Sequence, residues 1–113
     1  MTQIYIIYKI CSRVPTNKEG DKLEESRIEK RLKKQIELLG GKALKFVSPG
    51  MSGVPDRIVL LPQGKIIFVE LKAPGKKLRA LQEYRAKELR NLGFRVECID
   101  STEGINKLVE KIR

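Results

Sequence analysis

Histidine is absent from this 113-residue chain. That excludes a histidine general base, a histidine-activated nucleophile and a histidine-ligated zinc site. Any acid–base or metal chemistry must therefore rest on carboxylates, lysines, tyrosines or water. Only two cysteines are present, Cys11 and Cys98. They have no CxxC spacing and cannot complete a four-ligand zinc site by themselves. Cys98 alternates with Phe94 and Val96 and reads as a small core residue. Long apolar runs are missing too. The run IYIIYKI at residues 4–10 is too short for a membrane span and lacks the basic lead and cleavage site of a signal peptide. With no export signal visible, an intracellular protein is expected.

Acidic side chains are in deficit: 24 Lys and Arg face 14 Asp and Glu, a net charge of +10. On so small a domain that imbalance suggests a polyanionic partner, nucleic acid ahead of an anionic membrane surface. The length suits one domain with a single core.

Residues 3–10 alternate and are rich in Ile and Tyr, which reads as a strand. RVPTNKEGDK (13–22) reads as a loop, so residues 1–22 are expected as an appendage and residues 23–113 as the domain proper. A helix is predicted from Leu23 or Ser26 to Leu39. Ser26-x-x-Glu29 fits a capping box, Gly40-Gly41 supplies the stop, and Ile28, Leu32, Ile36 and Leu39 form the apolar stripe. A short strand over 42–47 precedes the glycine- and proline-rich loop SPGMSGVP. Residues 57–61 and 65–71 read as a hairpin turning at Pro62-Gln63-Gly64. A second helix is predicted over 78–92, a strand over 94–99, and a final helix capped by Ser101 or Thr102. The order α-β-β-β-α-β-α implies an α/β fold with a mixed four-stranded sheet, to which the N-terminal strand would be an addition.

The hairpin places charge at its two ends. Glu70 and Lys72 share a strand face with Ile66 and Phe68, and Asp56 stands just ahead of the partner strand. A turn at 62–64 pairs Leu61 with Lys65 and hence Asp56 with Glu70; a slip of one residue would put Asp56 on the opposite face. In the first register two carboxylates and an ammonium converge. Two adjacent carboxylates repel unless a cation lies between them, and oxygen-only ligands suit Mg²⁺ or Mn²⁺, with the Leu71 backbone carbonyl as a further donor. Such a cation activates water and polarises a phosphoryl oxygen while a lysine stabilises developing charge. An isolated Glu-x-Lys, in contrast, is most often a strand-end salt bridge.

The context is more specific than that tripeptide. In GVPDRIVLLPQGKIIFVELKAPGKK (residues 53–77), Pro-Asp leads into an apolar hairpin, Glu-x-Lys follows, and a helix comes next. This resembles the PD-(D/E)xK nuclease superfamily. With a Gln early in the following helix it more closely resembles the virus-type replication–repair nuclease branch (VRR-NUC), in its stand-alone phage form. The resemblance spans about residues 24–112 and implies a restriction-endonuclease-like core. By position it makes Asp56 and Glu70 metal ligands and Lys72 the catalytic lysine. It also places Glu29, the acidic residue of the first helix, near the metal, and makes Gln82 a site-lining amide. Glu29 has an alternative as the capping partner of Ser26, and Gln82 as a helix-surface residue. Some relatives carry Gln-x-x-x-Tyr here; this chain has Ala86 at that position, so no role passes to Tyr84.

From Lys72 to Arg95 inclusive there are eight basic residues. Lys76, Lys77 and Arg79 follow the site closely enough to hold phosphates, and Ser48 and Ser52 of the loop could donate to them. Arg85, Lys87 and Arg90 read as ordinary helix surface. The resemblance thus implies a Mg²⁺- or Mn²⁺-dependent DNA endonuclease of a phage or bacterial host cell, acting as a homodimer on branched duplex such as four-way junctions. A catalytically silent nucleic-acid-binding module on the same fold is the alternative.

Overall fold

Strands β2 (Arg57–Leu61) and β3 (Lys65–Leu71) carry apolar residues at successive positions, the pattern of a sheet covered on both faces. They form the predicted hairpin in the computed structural model, which describes residues 18–113. The connection Pro62–Gly64 is a single 3-10 turn, tightened by positive φ at Gln63 (69°) and Gly64 (75°). Its length fixes an antiparallel register that matches Leu61 with Lys65 and Arg57 with Val69. Carried one residue further, that register sets Asp56 opposite Glu70.

Strand β1 (Lys42–Lys45) pairs antiparallel with β2, and β4 (Arg95–Ile99) pairs parallel with β3. The sheet order is β1-β2-β3-β4. A parallel neighbour requires a crossover, supplied here by α2 (Ala80–Asn91). Helices α1 (Lys18–Leu38) and α3 (Thr102–Ile112) complete the chain. Alternation sorts the side chains cleanly. Val59, Leu61, Ile67, Val69, Leu71 and Ile99 point to the face covered by α1 and α3, where they meet Ile28, Leu32, Ile36, Ile105 and Leu108. Ile58, Phe68, Phe94 and Val96 point to the face covered by α2, which supplies Ala86 and Leu89. Phe68 sits between Phe46 and Phe94, with ring centroids 5.6 and 5.4 Å away. Each of the fully buried aliphatic side chains of α1 contributes about 1.5–3 kcal/mol through its removal from water.

Boundaries differ from expectation most at the start of α1 and the end of β1; α2 and β4 also begin two residues and one residue later than predicted. Helix α1 starts at Lys18, eight residues ahead of Ser26, so Ser26 is not an N-cap and Glu29 is not its capping partner. Lys22 to Glu25 include strong helix formers, and the helix extends back over residues 18–22, which were expected as loop. Strand β1 stops at Lys45, two residues short of the predicted end. Its geometry persists for one more residue, because the Phe46 N–H donates to the Asp56 carbonyl at 2.9 Å. Helix α3 starts as expected: the Ser101 hydroxyl accepts from the Gly104 N–H at 3.0 Å. Cys98 is buried, as its alternation predicts. The strand expected over 3–10 lies outside the described residues.

Candidate active site

The open end of the hairpin collects the residue before β2, the last residues of β3, the start of α2 and one turn of α1. Asp56 is held through both its main chain and its side chain. Its carbonyl accepts from the Phe46 N–H and from Arg57 Nη1, both at 2.9 Å. Its Oδ1 accepts from the Leu71 N–H at 3.1 Å. Strand geometry explains why that N–H is available: successive peptide groups point to opposite neighbours. The Lys72 N–H turns toward β4 and donates to the Ile99 carbonyl at 2.9 Å, so Leu71 turns toward β2, which has just ended. The Leu71 carbonyl faces the same side as its N–H, beside Asp56.

Glu70 is only 8% exposed. Its Oε2 lies 3.9 Å from Lys72 Nζ and accepts from Gln82 Nε2 at 3.4 Å. Burial first, and then the negative charge of Asp56, push the Glu70 carboxyl up to about 7, against the opposing pull of Lys72. Burial also raises the Asp56 carboxyl; the Leu71 N–H, then Arg57 and Lys72 counteract it. Gln82 has two tasks. Its Oε1 accepts from the Arg79 N–H at 2.9 Å, closing the first turn of α2, and its Nε2 reaches Glu70. The sequence left this residue between a surface and a site role, and the geometry gives it contacts of both kinds.

Glu29 is placed elsewhere. It pairs with Arg57 at 2.6 Å and borders a separate hollow between α1 and β1, with Lys33, Ala43 and Lys45. The α1 carboxylate that reaches Glu70 electrostatically is Glu25, whose charge is among those raising the Glu70 carboxyl. Glu25 lies one helical turn earlier on the same face. With Lys22 it walls an open cleft of about 510 Å³ whose floor is Glu70, Leu71 and Lys72. Neither residue was singled out from the sequence, because the resemblance pointed to Glu29 as the acidic residue of the first helix and Lys22 stood at the end of the expected loop.

Lys76, Lys77 and Arg79 line this cleft, as their spacing from Lys72 suggested. Ser48 and Ser52 do not. The Ser52 carbonyl accepts from Arg85 Nε at 2.9 Å, pinning the loop to α2, and the Ser48 carbonyl closes a turn with the Met51 N–H at 3.1 Å. Arg85, expected as plain helix surface, is therefore a loop anchor.

Among the described residues no three Asp, Glu or Cys side chains come together as a ready-made metal-binding group. A cation beside Asp56 and Glu70 would complete its shell from the Leu71 carbonyl and water, a donor set typical of Mg²⁺, which keeps several waters. The mutual repulsion of the two carboxylates is the electrostatic condition that such a cation relieves. The residues present fit a hard, oxygen-seeking divalent ion.

Comparisons with known proteins bear on the family and the fold of this chain. A family model described as the VRR-NUC domain matches residues 6–103. A protein of Acyrthosiphon pisum secondary endosymbiont phage 1, named "Putative nuclease p44", is 51% identical over 81 residues, covering 72% of this chain and 87% of its own. A solved structure described as "VRR_NUC domain" superposes with a TM-score of 0.73 at 36% identity, covering 77% of this chain and 95% of that one.

Proposed function

This chain belongs to the VRR-NUC domain family, and from that premise we propose that it is a nuclease: a Mg²⁺- or Mn²⁺-dependent DNA endonuclease that hydrolyses phosphodiester bonds. One observation carries the reading. Asp56, held by the Leu71 N–H, meets Glu70 and Lys72 at the end of the hairpin, and Glu70, Leu71 and Lys72 floor a cleft walled by Glu25 and by the basic Lys22, Lys76, Lys77 and Arg79.

The division of labour follows from position. Asp56, Glu70 and the Leu71 carbonyl hold the cation, which when bound supplies a Lewis acid that activates water and withdraws charge from the phosphoryl group. Lys72 stands 3.9 Å from Glu70, placed to orient the attacking water or to balance negative charge as the new P–O bond forms and the bond to the leaving sugar oxygen breaks. Gln82 fixes the orientation of the Glu70 carboxylate. Glu25, rather than Glu29, is the α1 acid placed to act near the cation. Lys76, Lys77 and Arg79 hold backbone phosphates, contacts that bind without reading sequence. The N-terminus of α2 opens beside them and adds its own attraction for an anion. Ser48 and Ser52 are assigned to the flanking backbone of the same DNA, outside the cleft.

The finer reading is cleavage of branched duplex, such as a four-way junction, by a homodimer with paired sites inside the bacterial cell. It rests on likeness to stand-alone phage nucleases. No helix among the described residues is long and apolar enough to cross a membrane.

The test incubates purified protein with supercoiled plasmid and with a labelled four-way junction, in Mg²⁺, Mn²⁺ or EDTA. Cleavage is expected with either metal, preferentially of the junction. It should be lost in EDTA and reduced at least about 100-fold in Asp56→Ala and Lys72→Ala, the scale for removing one group that stabilises transition-state charge. Binding without cleavage in every metal would replace the proposal with a silent binding module. Light scattering reads the dimer independently.

A further inference from the structure

Glu29 lies off the cleft, yet it is linked to it by a short chain of charged contacts. Its Oε2 meets Arg57 Nη2 at 2.6 Å. On the same guanidinium, Nη1 donates to the Asp56 carbonyl at 2.9 Å and lies 3.5 Å from Asp56 Oδ2. The Arg57 side chain is 12% exposed, wedged between α1 and the sheet. Strand parity explains the arrangement. Arg57 shares the α1 face with Val59 and Leu61, whereas Asp56 sits at the point where the chain enters β2. The planar, forked guanidinium is suited to bridging these two places, because its donors are fixed relative to one another.

We propose that Glu29 is a positioning residue for the metal site, acting through Arg57 to fix Asp56 in the orientation that binds a divalent cation. The proposal rests on reading Asp56 as a ligand and assigns Glu29 a role other than ligation. Glu29 holds the guanidinium from behind, against α1. In that position Arg57 supports the Asp56 main chain and leaves Oδ1 with the Leu71 N–H. Without Glu29, Arg57 is released toward the two carboxylates, where its own charge competes with the incoming cation. Partners of this kind, which orient a ligand without touching the metal, commonly affect affinity by 10- to 100-fold.

A double-mutant cycle read by calorimetric titration of Mn²⁺ tests this, using wild type, Glu29→Ala, Arg57→Ala and the double variant. Glu29→Ala is expected to weaken Mn²⁺ binding about ten-fold. In the Arg57→Ala background the same substitution should change affinity less than about two-fold, since the route to Asp56 is already cut. Arg57→Lys, which keeps the charge and loses the fork, serves as the second variant if Arg57→Ala fails to fold; it should also mask the effect of Glu29→Ala. Glu29 and Arg57 do not line the cleft, so the KM for DNA should stay within two-fold while the metal requirement rises. Equal, additive weakening by Glu29→Ala in every background would make Glu29 an independent contributor and overturn the relay while leaving the ligand reading intact. So would an unchanged affinity in Glu29→Ala. Wild-type protein that binds no Mn²⁺ would overturn the ligand reading and the relay together.

Discussion

Glu70 holds its carboxylate against two opposing forces, burial beneath the cleft floor and the like charge of Asp56 across the hairpin. Its folded value of about 7 lies above the ordinary 4.5, so the folded, metal-free protein binds this proton more tightly than the unfolded chain does. The resulting stability is fully present below pH 4.5 and is lost as pH rises to 7. The loss amounts to at most about 3 kcal/mol for a shift of this size. Asp56 and Glu97 are also raised by burial, so the whole-protein profile mixes several groups. The difference between wild type and Glu70→Gln isolates one of them. In EDTA, urea unfolding across pH 4.5–8 should show the wild type losing stability relative to Glu70→Gln as pH rises. Mn²⁺, by neutralising the repulsion, should abolish much of that loss. Parallel profiles would contradict the assignment.

Among the elements, the loop between β1 and β2 shows how backbone and helix fix one another. Gly53 has φ +83°, and a Cβ there would lie 2.7 Å from Leu81 Cγ. Gly53→Ala must therefore strain the backbone and displace α2 at once, at an expected cost of about 1–3 kcal/mol. A thermal melt of the variant measures this, and an unchanged midpoint would mean that the loop does not bear on α2 as described. The hairpin was legible in the sequence because its information is local: a three-residue turn and alternating side chains fix the register, and the register fixes Asp56 against Glu70. The start of α1 was not. Ser26-x-x-Glu29 has the pattern of a cap, but the propensities of Lys22–Glu25 outweigh it. Glu29 is the α1 carboxylate that the resemblance points to by position; that Glu25 is the one on the cleft wall is visible only in the packed fold. Partners distant in the chain escaped for a different reason. No spacing rule joins Glu29 to Arg57, or Arg85 to Ser52; only the packing of α1 and α2 on the sheet does.

For the molecule as a whole, the cleft lies outside the carboxyl end of β3, where it runs parallel to β4, the place where open sheets with crossover helices leave room for a ligand. The rest of the fold supports that end. Cores on both faces immobilise β3, the hairpin turn sits at the opposite end of the sheet, and five of the chain's 24 basic residues, Lys22, Lys72, Lys76, Lys77 and Arg79, line the cleft beside Glu25 and Glu70. A polyanion is drawn to this surface by charge that carries no sequence information. The most direct test of the site itself is a crystal of the wild-type protein soaked in Mn²⁺, with the anomalous signal mapped. A peak is expected between the carboxylates of Asp56 and Glu70, within about 2.0–2.4 Å of their oxygens and of the Leu71 carbonyl. A peak elsewhere, or none at a Mn²⁺ concentration that supports cleavage in solution, would contradict the metal site on which the proposed activity depends.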